Sequence, residues 1–142
     1  MKWSLFFFII FLTLNLKCQK INESYEHENF DYFLIQFFGM EEFQKERTIF
    51  PLEYSYYDSS SEVSSKIKTI FIKKEEWSPI QDTTFINSKY FRKIYDNFEK
   101  KYRPTGERVF AYEGNESGIA IFYYFKLKNK KWYLVKKENY SD

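Results

Sequence analysis

The sequence is poor in the residues that carry most nucleophilic and metal chemistry. Its 142 residues contain one cysteine and one histidine, Cys18 and His27. A single cysteine excludes a disulfide within the chain, and a zinc site needs several Cys or His ligands. A Ser-His-Asp or Cys-His arrangement would depend on His27, which lies in a polar segment where nothing is predicted to hold its geometry. We therefore predict no catalytic residue, no metal site and no cofactor.

Glycine-rich loops and an excess of charge of one sign are missing as well. The four glycines are scattered at positions 39, 106, 114 and 118, so no phosphate-binding loop is present. The chain has 22 Lys and Arg against 20 Asp and Glu, and removing Lys2 and Lys17 with a leader leaves 20 of each. A neutral chain has no electrostatic footprint for nucleic acid. Lysines that alternate with aromatic residues are interpreted as protection of strand edges, and no nucleic-acid partner is predicted.

The N-terminus has the layout of a signal peptide. Lys2 precedes the apolar run Leu5–Leu12, which is too short for a membrane span of about 20 residues. A charged start and a short apolar run are typical of a secretory signal. We predict that residues 1–17 are a signal peptide and that the chain is exported to the cell envelope.

The lone cysteine follows this leader directly. We predict that Cys18 is lipidated as the first residue of a lipoprotein, on the periplasmic or outer-membrane face. Its acyl chains would anchor the protein to a membrane, because each buried CH₂ adds about 0.8 kcal/mol. Lys17 departs from the small residues typical before such a cysteine. The alternative is a leftover cysteine in the cleavage region of a secreted protein.

The rest of the chain divides into a tether and one domain. Residues 18–28 are mostly polar and are predicted to be a flexible tether. Residues 29–142 are predicted to form one folded domain. Aromatic residues make up 23% of the sequence, so Phe and Tyr can fill its core.

A long aromatic stripe predicts the first helix of that domain. Asn29 is placed to cap it, and Gly39 stands where a C-terminal cap belongs. The apolar residues at helical spacing between them are Phe30, Phe33, Leu34, Phe37 and Phe38.

Two further helices are predicted. A short one runs from Met40 to about Arg47, with Met40 and Phe43 facing inward, and ends before Phe50-Pro51. A third follows Asn87 or Ser88 and rests on periodicity alone. Its stripe consists of Phe91, Ile94, Tyr95, Phe98 and Tyr102.

Alternating aromatic and β-branched residues predict the strands. In the longest, 119–128, Ile119, Ile121, Tyr123, Phe125 and Leu127 share one face, and Ala120, Phe122 and Tyr124 share the other. Asn129-Lys130 is predicted as the tight turn after it. The other predicted strands are 52–57, 67–77, 108–113 and 131–137. Helices segregated from antiparallel strands predict the α+β class, with N-terminal helices packed on a curved antiparallel sheet.

Several blocks of the sequence resemble a known family. The blocks are Asn29–Phe38, Phe43-Gln44 with Arg47, Phe50-Pro51-Leu52, Glu75-Glu76-Trp77 and Lys130–Val135. They are similar to those of a Bacteroidetes-type envelope lipoprotein family that is known as a domain of unknown function. The resemblance covers residues 29–137 in patches. It implies a cystatin-like roll, similar to the nuclear transport factor 2 class, and an envelope location, but no activity.

Charged residues offer few candidates for chemistry. The pairs Glu41-Glu42 and Glu75-Glu76 cannot converge on one atom, because neighbours on a helix or a strand point in different directions. We interpret both pairs as solvated surface, and Asp31 as a helix-dipole residue. Arg47 either binds an anionic ligand or fixes a connection through a paired acid or carbonyl, and we favour the structural role.

Aromatic residues offer a candidate cavity. Inside a roll they could line it, but aromatics at alternating strand positions are more often core. The residues concerned are Trp77, Tyr112, Tyr123, Tyr124, Trp132 and Tyr133. The sequence assigns no ligand-binding residue among them.

These observations favour a non-catalytic domain that holds a small ligand or a partner protein at the concave sheet or the edge of the roll. Two alternatives stay open. One is an enzyme that uses carboxylates in the cup of the roll, which would need at least two inward acids. The other is a structural accessory of an envelope complex, which would need an exposed apolar patch.

Overall fold

Two short helices precede six strands in the computed structural model, which describes residues 27–58, 66–80, 91–101, 105–114 and 118–141. A single 3₁₀ turn, Lys74–Glu76, follows the second strand. Within these ranges no helix has the length and apolar character needed to cross a membrane. The elements are α1 (Phe30–Gly39), α2 (Glu41–Glu46), β1 (Thr48–Asp58), β2 (Lys66–Ile72), β3 (Phe91–Tyr95), β4 (Glu107–Glu113), β5 (Ala120–Lys128) and β6 (Lys131–Asn139).

Helix α1 forms where the aromatic stripe predicts it. The Oδ1 atom of Asn29 accepts a hydrogen bond from the backbone N–H of Tyr32 at 3.0 Å, which is the capping contact expected of Asn. The buried side chains are Phe30, Phe33, Leu34 and Phe37, so the predicted start and face are confirmed. The helix includes Gly39, and the N–H of Met40 donates to the carbonyl of Gln36 at 3.0 Å to close the last turn.

Helix α2 is confirmed in position but its predicted inward residues are only half right. Met40 precedes it and is 45% exposed, whereas Phe43 packs against the core. The most buried side chain is Gln44, at 1% exposure. Its Nε2 donates to the carbonyl of Ile80 at 2.9 Å, and its Oε1 accepts from the N–H of Ile80 at 2.7 Å. A buried amide is tolerated there because both of its polar atoms are satisfied.

The six strands form one mixed sheet in the order β2-β1-β6-β5-β4-β3. Every neighbouring pair is antiparallel except β1 and β6, which are parallel, with Thr48 opposite Leu134 and Tyr54 opposite Lys137. The prediction of a purely antiparallel sheet is therefore wrong at this pair. Tight turns force antiparallel pairing only on consecutive strands, and β1 and β6 are the first and last of the described strands.

The predicted third helix is wrong where the structure describes it. Phe91–Tyr95 is strand β3, which pairs antiparallel with β4. A turn follows: Asn97 Oδ1 accepts from the N–H of Lys101 at 3.1 Å, and Lys100 has a φ of 57°. The aromatic and β-branched residues at 91, 94 and 95 suit a strand as well as a helix, and the edge of β4 supplies the hydrogen bonds. Asn87, Ser88 and Tyr102 lie outside the described residues.

The sheet has a helix face and an outer face. On the helix face, α1 packs against residues of the four central strands, including Leu52, Phe110, Phe125 and Leu134. On the outer face a smaller cluster contains Val109, Ala111, Phe122 and Tyr124. The predicted alternation of β5 between two covered faces is confirmed, and so is the turn after it, where Asn129 and Lys130 both have positive φ.

Strand β2 lies at the sheet edge and is shorter than predicted. It ends at Ile72, and the 3₁₀ turn replaces the rest of the predicted strand 67–77. Two of its large apolar side chains are well exposed, Ile67 at 59% and Phe71 at 62%. Residues 59–65, most of the predicted loop after β1, lie outside the described residues, as do Cys18 and residues 1–26.

Candidate functional site: a lysine among tyrosines on the helix face

Lys137 lies between two tyrosine rings on the helix face of the sheet. It is directly opposite Tyr54 of β1 and Tyr123 of β5 in the strand register. Its Nζ atom lies 5.0 Å from the ring centroid of Tyr54 and 5.7 Å from that of Tyr123. These distances are typical of cation–π contacts. Three neighbouring strands therefore place an ammonium group between two aromatic faces.

A β-bulge in β6 decides that Lys137 reaches this face. Phe125 is opposite Leu134, but the preceding residue of β5, Tyr124, is opposite Lys136, so Val135 is an extra residue in β6. Side chains alternate along a strand, and without the extra residue Lys136 would follow Leu134 onto the helix face. The bulge sends Lys136 to the outer face and Lys137 to the helix face. Bulges commonly re-aim side chains in this way.

The next row of side chains continues the polar surface. Tyr56, Asn139, Ile121 and Tyr112 are neighbours across β1, β6, β5 and β4. The rings of Tyr54 and Tyr56 are stacked, with centroids 5.2 Å apart. We call the surface formed by these two rows the tyrosine–lysine patch. Its polar residues are Tyr54, Tyr56, Tyr112, Tyr123, Lys137 and Asn139.

The C-terminal end of α1 borders the patch. Phe38 packs edge-on against Tyr123, with centroids 5.4 Å apart, and it also contacts Phe110 at 5.2 Å. Tyr112 and Tyr123 are buried, whereas Tyr54, Tyr56, Lys137 and Asn139 are half-buried. The patch thus combines a buried floor on β4 and β5 with half-buried residues on β1 and β6.

Burial lowers the pKa of Lys137 from its ordinary value, because desolvation disfavours the charged amine. Among the described residues, its ammonium contacts the two tyrosine rings. Among the described strand residues, Glu53, Glu107, Glu113 and Glu138 lie on the outer face, where they contact lysines. Asp58 lies at the end of β1 and contacts Lys68 at 3.9 Å. The ammonium of Lys137 is therefore desolvated without a carboxylate from the described strands.

The adjacent lysine has the opposite environment. Lys136 Nζ contacts Glu53 Oε1 at 2.9 Å and Glu138 Oε1 at 3.1 Å on the outer face. Burial alone would lower the pKa of Lys136, but the hydrogen bonds to these two carboxylates raise it. The hydroxyl of Tyr124 donates to Glu138 Oε2 at 2.5 Å, and burial together with this bond raises the pKa of Tyr124. In this network the ammonium of Lys136 is paired with the carboxylates of Glu53 and Glu138.

Arg47 has the structural role that its position in the sequence favoured. Its Nη1 and Nη2 atoms donate to Glu28 Oε2 and Oε1 at 2.9 and 3.1 Å, and Nη1 also donates to the carbonyl of Trp132 at 3.3 Å. The guanidinium lies over the rings of Phe43 and Tyr133, at 4.7 and 5.6 Å. Both terminal nitrogens are thus bonded, whereas Nε is buried without a hydrogen-bond partner among the described residues. The partners Glu28 and Trp132 are not residues of the tyrosine–lysine patch, so Arg47 belongs to a separate structural site.

The two glutamate pairs considered in the sequence lie on the solvent-exposed surface. Glu41, Glu42, Glu75 and Glu76 are exposed. Glu76 Oε2 accepts from the backbone N–H of Lys73 at 3.1 Å and so closes the 3₁₀ turn. No group of three His, Cys, Asp or Glu side chains that could hold a metal ion occurs in the part of the chain that the structure describes. His27 is exposed before α1.

The structure divides the predicted aromatic candidates among different environments. Tyr112 and Tyr123 belong to the patch. Trp132 packs against Phe30 in the core, Trp77 packs against Phe50, and Tyr124 lies on the outer face. Sequence reasoning missed Tyr54, Tyr56, Lys137 and Asn139. The spacing of Tyr54 and Tyr56 in β1 indicates that they share one face of the sheet. The face of Lys137 cannot be read from spacing in this way, because it depends on the bulge.

Solved structures of similar shape are known from Bacteroides. An NTF2-like protein from Bacteroides fragilis has a TM-score of 0.57 and 20% identity over 82% of this chain and 49% of its own. A cystatin-like protein from Bacteroides caccae has a TM-score of 0.55 and 24% identity over 80% of this chain and 76% of its own. A protein from Bacteroides uniformis has a TM-score of 0.53 and 23% identity over 82% and 78%.

These likenesses, all below 25% identity, show the fold. The chain has an NTF2-like, cystatin-like fold, with a curved mixed sheet of six strands and two helices in the described residues. The fold implied by the sequence resemblance is confirmed. The chain spans about half the length of the B. fragilis protein. No protein-family model and no curated protein matches the sequence.

Proposed function

We propose that this chain is a non-catalytic binding domain of the cell envelope that holds a small ligand at the tyrosine–lysine patch. The observation that carries the proposal is the desolvated ammonium of Lys137, which contacts Tyr54 and Tyr123 and no described carboxylate. A buried charge without a partner is costly. A ligand that reaches the ammonium would supply the missing contacts.

Binding is favoured over carboxylate catalysis by the placement of the acids. A carboxylate enzyme needs two acids that converge on a substrate. In the described strands the glutamates lie on the other side of the sheet, and Asp58 contacts Lys68. The patch offers tyrosine hydroxyls, an amide and an amine. These groups suit recognition by hydrogen bonds and ring contacts.

The position of the domain follows from the proposed anchor. We take residues 1–17 as a signal peptide, Cys18 as the acylated residue and the following residues as the tether. Glu28 is bonded to Arg47, so the free part of the tether would be 18–27. About ten residues reach at most roughly 35 Å when extended, which would keep the patch close to the membrane surface.

The anchor is tested by mass spectrometry of the chain recovered from the membrane fraction of a diderm bacterial host. We expect an N-terminal peptide that begins at Cys18 and carries acyl chains, and we expect Cys18→Ser to move the protein to the soluble fraction. An unmodified Cys18, or cleavage at another residue, contradicts the lipoprotein.

The binding site is tested by backbone amide NMR of the full-length chain in a mild detergent. A set of small neutral, anionic and cationic aromatic compounds is added in turn. We expect at least one class to shift the amides of Tyr54, Tyr123 and Lys137 more than those of the outer face. If no compound shifts these amides selectively, the patch is not a binding site.

The exposed edge strand favours a second candidate function, docking of an extended acidic segment of a partner protein. On its outer side β2 pairs with no other described strand, so this edge presents backbone hydrogen-bonding groups. Ile67 and Phe71 are exposed beside Lys66 and Lys68. An added strand would pair with this edge. A peptide of alternating Val and Glu should shift the β2 amides, and a peptide of alternating Val and Lys should not. Equal effects of the two peptides contradict this candidate.

A further inference from the structure

The charge of the tyrosine–lysine patch specifies the class of ligand that it takes. We infer that the patch binds a small planar compound with a single carboxylate, which contacts the Lys137 ammonium while its ring packs against Tyr54 and Tyr56. This inference rests on the proposed function, because it assigns the ligand class of the same site. Three features of the patch point to this class: the sign of the charge at Lys137, the number of nearby cations and the shape of the surface.

The sign follows from the ammonium of Lys137, which contacts no carboxylate among the described residues. The contacts of Lys137 are ring faces, which interact favourably with a cation but do not neutralise it. Lys136, one residue earlier, contacts two carboxylates on the other side of the sheet. The contrast between the two lysines shows that, within the described ranges, Lys137 has no negative charge beside it, whereas Lys136 has two. A ligand carboxylate would supply it through a charge-assisted hydrogen bond.

The small number of cations near the patch favours a ligand with one negative charge. Two further cations of the described strands border the patch: Lys68 is opposite Tyr56 and Arg92 is opposite Tyr112. Each is separated from Lys137 by at least one strand. Lys68 is two strands away in the sheet order and contacts Asp58. Arg92 on β3 is three strands away, which is roughly 14 Å at about 4.8 Å between strands. Phosphate sites usually combine several cations or a cluster of backbone N–H groups, whereas one ammonium matches one carboxylate.

The shape of the surface favours a planar ligand. The stacked rings of Tyr54 and Tyr56 lie side by side on β1, 5.2 Å apart, and both side chains are half-buried. Aromatic rings pair by offset stacking or edge-to-face contact. Asn139 is opposite Tyr56 in the strand register, and while its Oδ1 accepts from the backbone N–H of Ser141 at 3.1 Å, its amide NH₂ group is a hydrogen-bond donor. A flat ring with polar substituents is complementary to this arrangement.

The test uses three probes of the same size and different charge: benzoate, benzamide and benzylamine. Binding to the full-length chain is measured by amide NMR shifts at pH 7. We expect benzoate to shift the amides of Tyr54, Tyr123 and Lys137 and to bind roughly 10- to 100-fold more tightly than benzamide, as a hydrogen bond to a charged group implies. Benzylamine is expected not to bind at the patch.

Variants connect the effect to one side chain. Lys137→Met is expected to abolish the advantage of benzoate over benzamide, and Lys137→Arg, which keeps the charge, is expected to retain most of it. Lys128→Met is the matched control, because Lys128 is exposed at the far end of β5. Its removal should leave the affinity for benzoate within about twofold of the parent chain, as expected for a distant surface charge.

The outcomes separate the inference from the proposed function. Equal binding of benzoate and benzamide at the patch overturns the carboxylate class and leaves a ligand site in place. Binding of benzoate that survives Lys137→Met also overturns it. If none of the three probes shifts the patch amides, and the wider set of compounds also fails, the proposed function itself is wrong.

Discussion

Glu28 and Arg47 form a two-point ion pair that attaches the start of the domain to its last strand. The two hydrogen bonds are 2.9 and 3.1 Å long, and Glu28 Oε2 also accepts from the backbone N–H of Trp132 at 2.8 Å. The indole N–H of Trp132 donates to the carbonyl of Glu28 at 2.9 Å. Glu28, two residues before α1, is thereby bonded to Arg47 directly after α2 and to Trp132 of β6. The predicted tether ends with a residue that helps to hold the fold.

Breaking this pair should destabilise the domain. Arg47 is 6% exposed, so Glu28→Gln would leave a nearly buried guanidinium without its carboxylate. We expect a loss of about 2–4 kcal/mol in the free energy of unfolding, measured by urea denaturation. Glu46→Gln is the control, since the side chain of Glu46 is 71% exposed and only approaches Arg47 at 4.0 Å. Similar losses in the two variants would show that the Glu28 contact is not important.

Gln44 should be hard to replace by an apolar residue. Gln44→Leu fits the same volume but leaves both the N–H and the carbonyl of Ile80 without their partner. Unsatisfied buried groups cost about 1–3 kcal/mol each, so we expect a loss of roughly 2–4 kcal/mol and a lower Tm by calorimetry. Gln36→Leu, on the half-exposed side of α1, is the control and should change stability by less than about 1 kcal/mol. If Gln44→Leu leaves the free energy of unfolding unchanged, the stabilising role of this amide is contradicted.

The two adjacent lysines should respond differently to the same substitution. Lys136→Met removes contacts with Glu53 and Glu138 and should cost about 1 kcal/mol at pH 7. Lys137→Met removes a desolvated cation with no described carboxylate, and the lost ring contacts offset part of the gain. We expect its stability to be unchanged or to rise by up to about 1 kcal/mol. The free energy of unfolding of both variants is measured by urea denaturation. A larger loss for Lys137→Met than for Lys136→Met would contradict this prediction.

Tyr124 should make the domain sensitive to alkaline pH. Burial and the bond to Glu138 raise its pKa in the folded state above the ordinary 10.0. Its contribution to stability is therefore complete below pH 10 and is lost as pH rises above 10, because the unfolded chain then releases the proton first. The raised pKa values of Lys136 and Tyr140 act in the same direction, and the lowered pKa of Lys137 acts in the opposite one.

Tyr124→Phe removes this contribution and gives the measurement. Between pH 10 and 11 the parent chain should lose up to about 1.4 kcal/mol more than the variant, by urea denaturation at each pH. Tyr32→Phe, at an exposed position on α1, should follow the parent. If Tyr124→Phe also follows the parent, Tyr124 ionises freely in the folded protein and its hydrogen bond to Glu138 is not maintained.

Much of the fold could be predicted because its signals are local. The stripe from Phe30 to Phe37 and the cap at Asn29 define α1 within a few turns of chain, and the two covered faces of β5 appear directly in its alternation. The helix predicted around Phe91 failed because short aromatic segments fit either period. The available edge of β4 decided the outcome.

The candidate site was only partly visible from the sequence. Tyr112 and Tyr123 were among the predicted aromatic candidates. Tyr54 and Tyr56 were not, although their spacing of two residues places them on the same face of a strand. The side chain at the centre could not be identified. Lys137 is one of two adjacent lysines, and simple alternation from Leu134 would place Lys136 on the helix face instead.

The sequence by itself determined which segments are apolar, where α1 begins, which residues of β5 share a face, and that cysteine and histidine chemistry is scarce. These properties depend on composition and on spacing over a few residues. Only the tertiary structure decided that β1 and β6 run parallel, that Gln44 reaches Ile80, and that the bulge at Val135 turns Lys137 towards Tyr54 and Tyr123. Each of these depends on strands or side chains far apart in the chain, whose pairing is fixed by the free energy of the whole sheet.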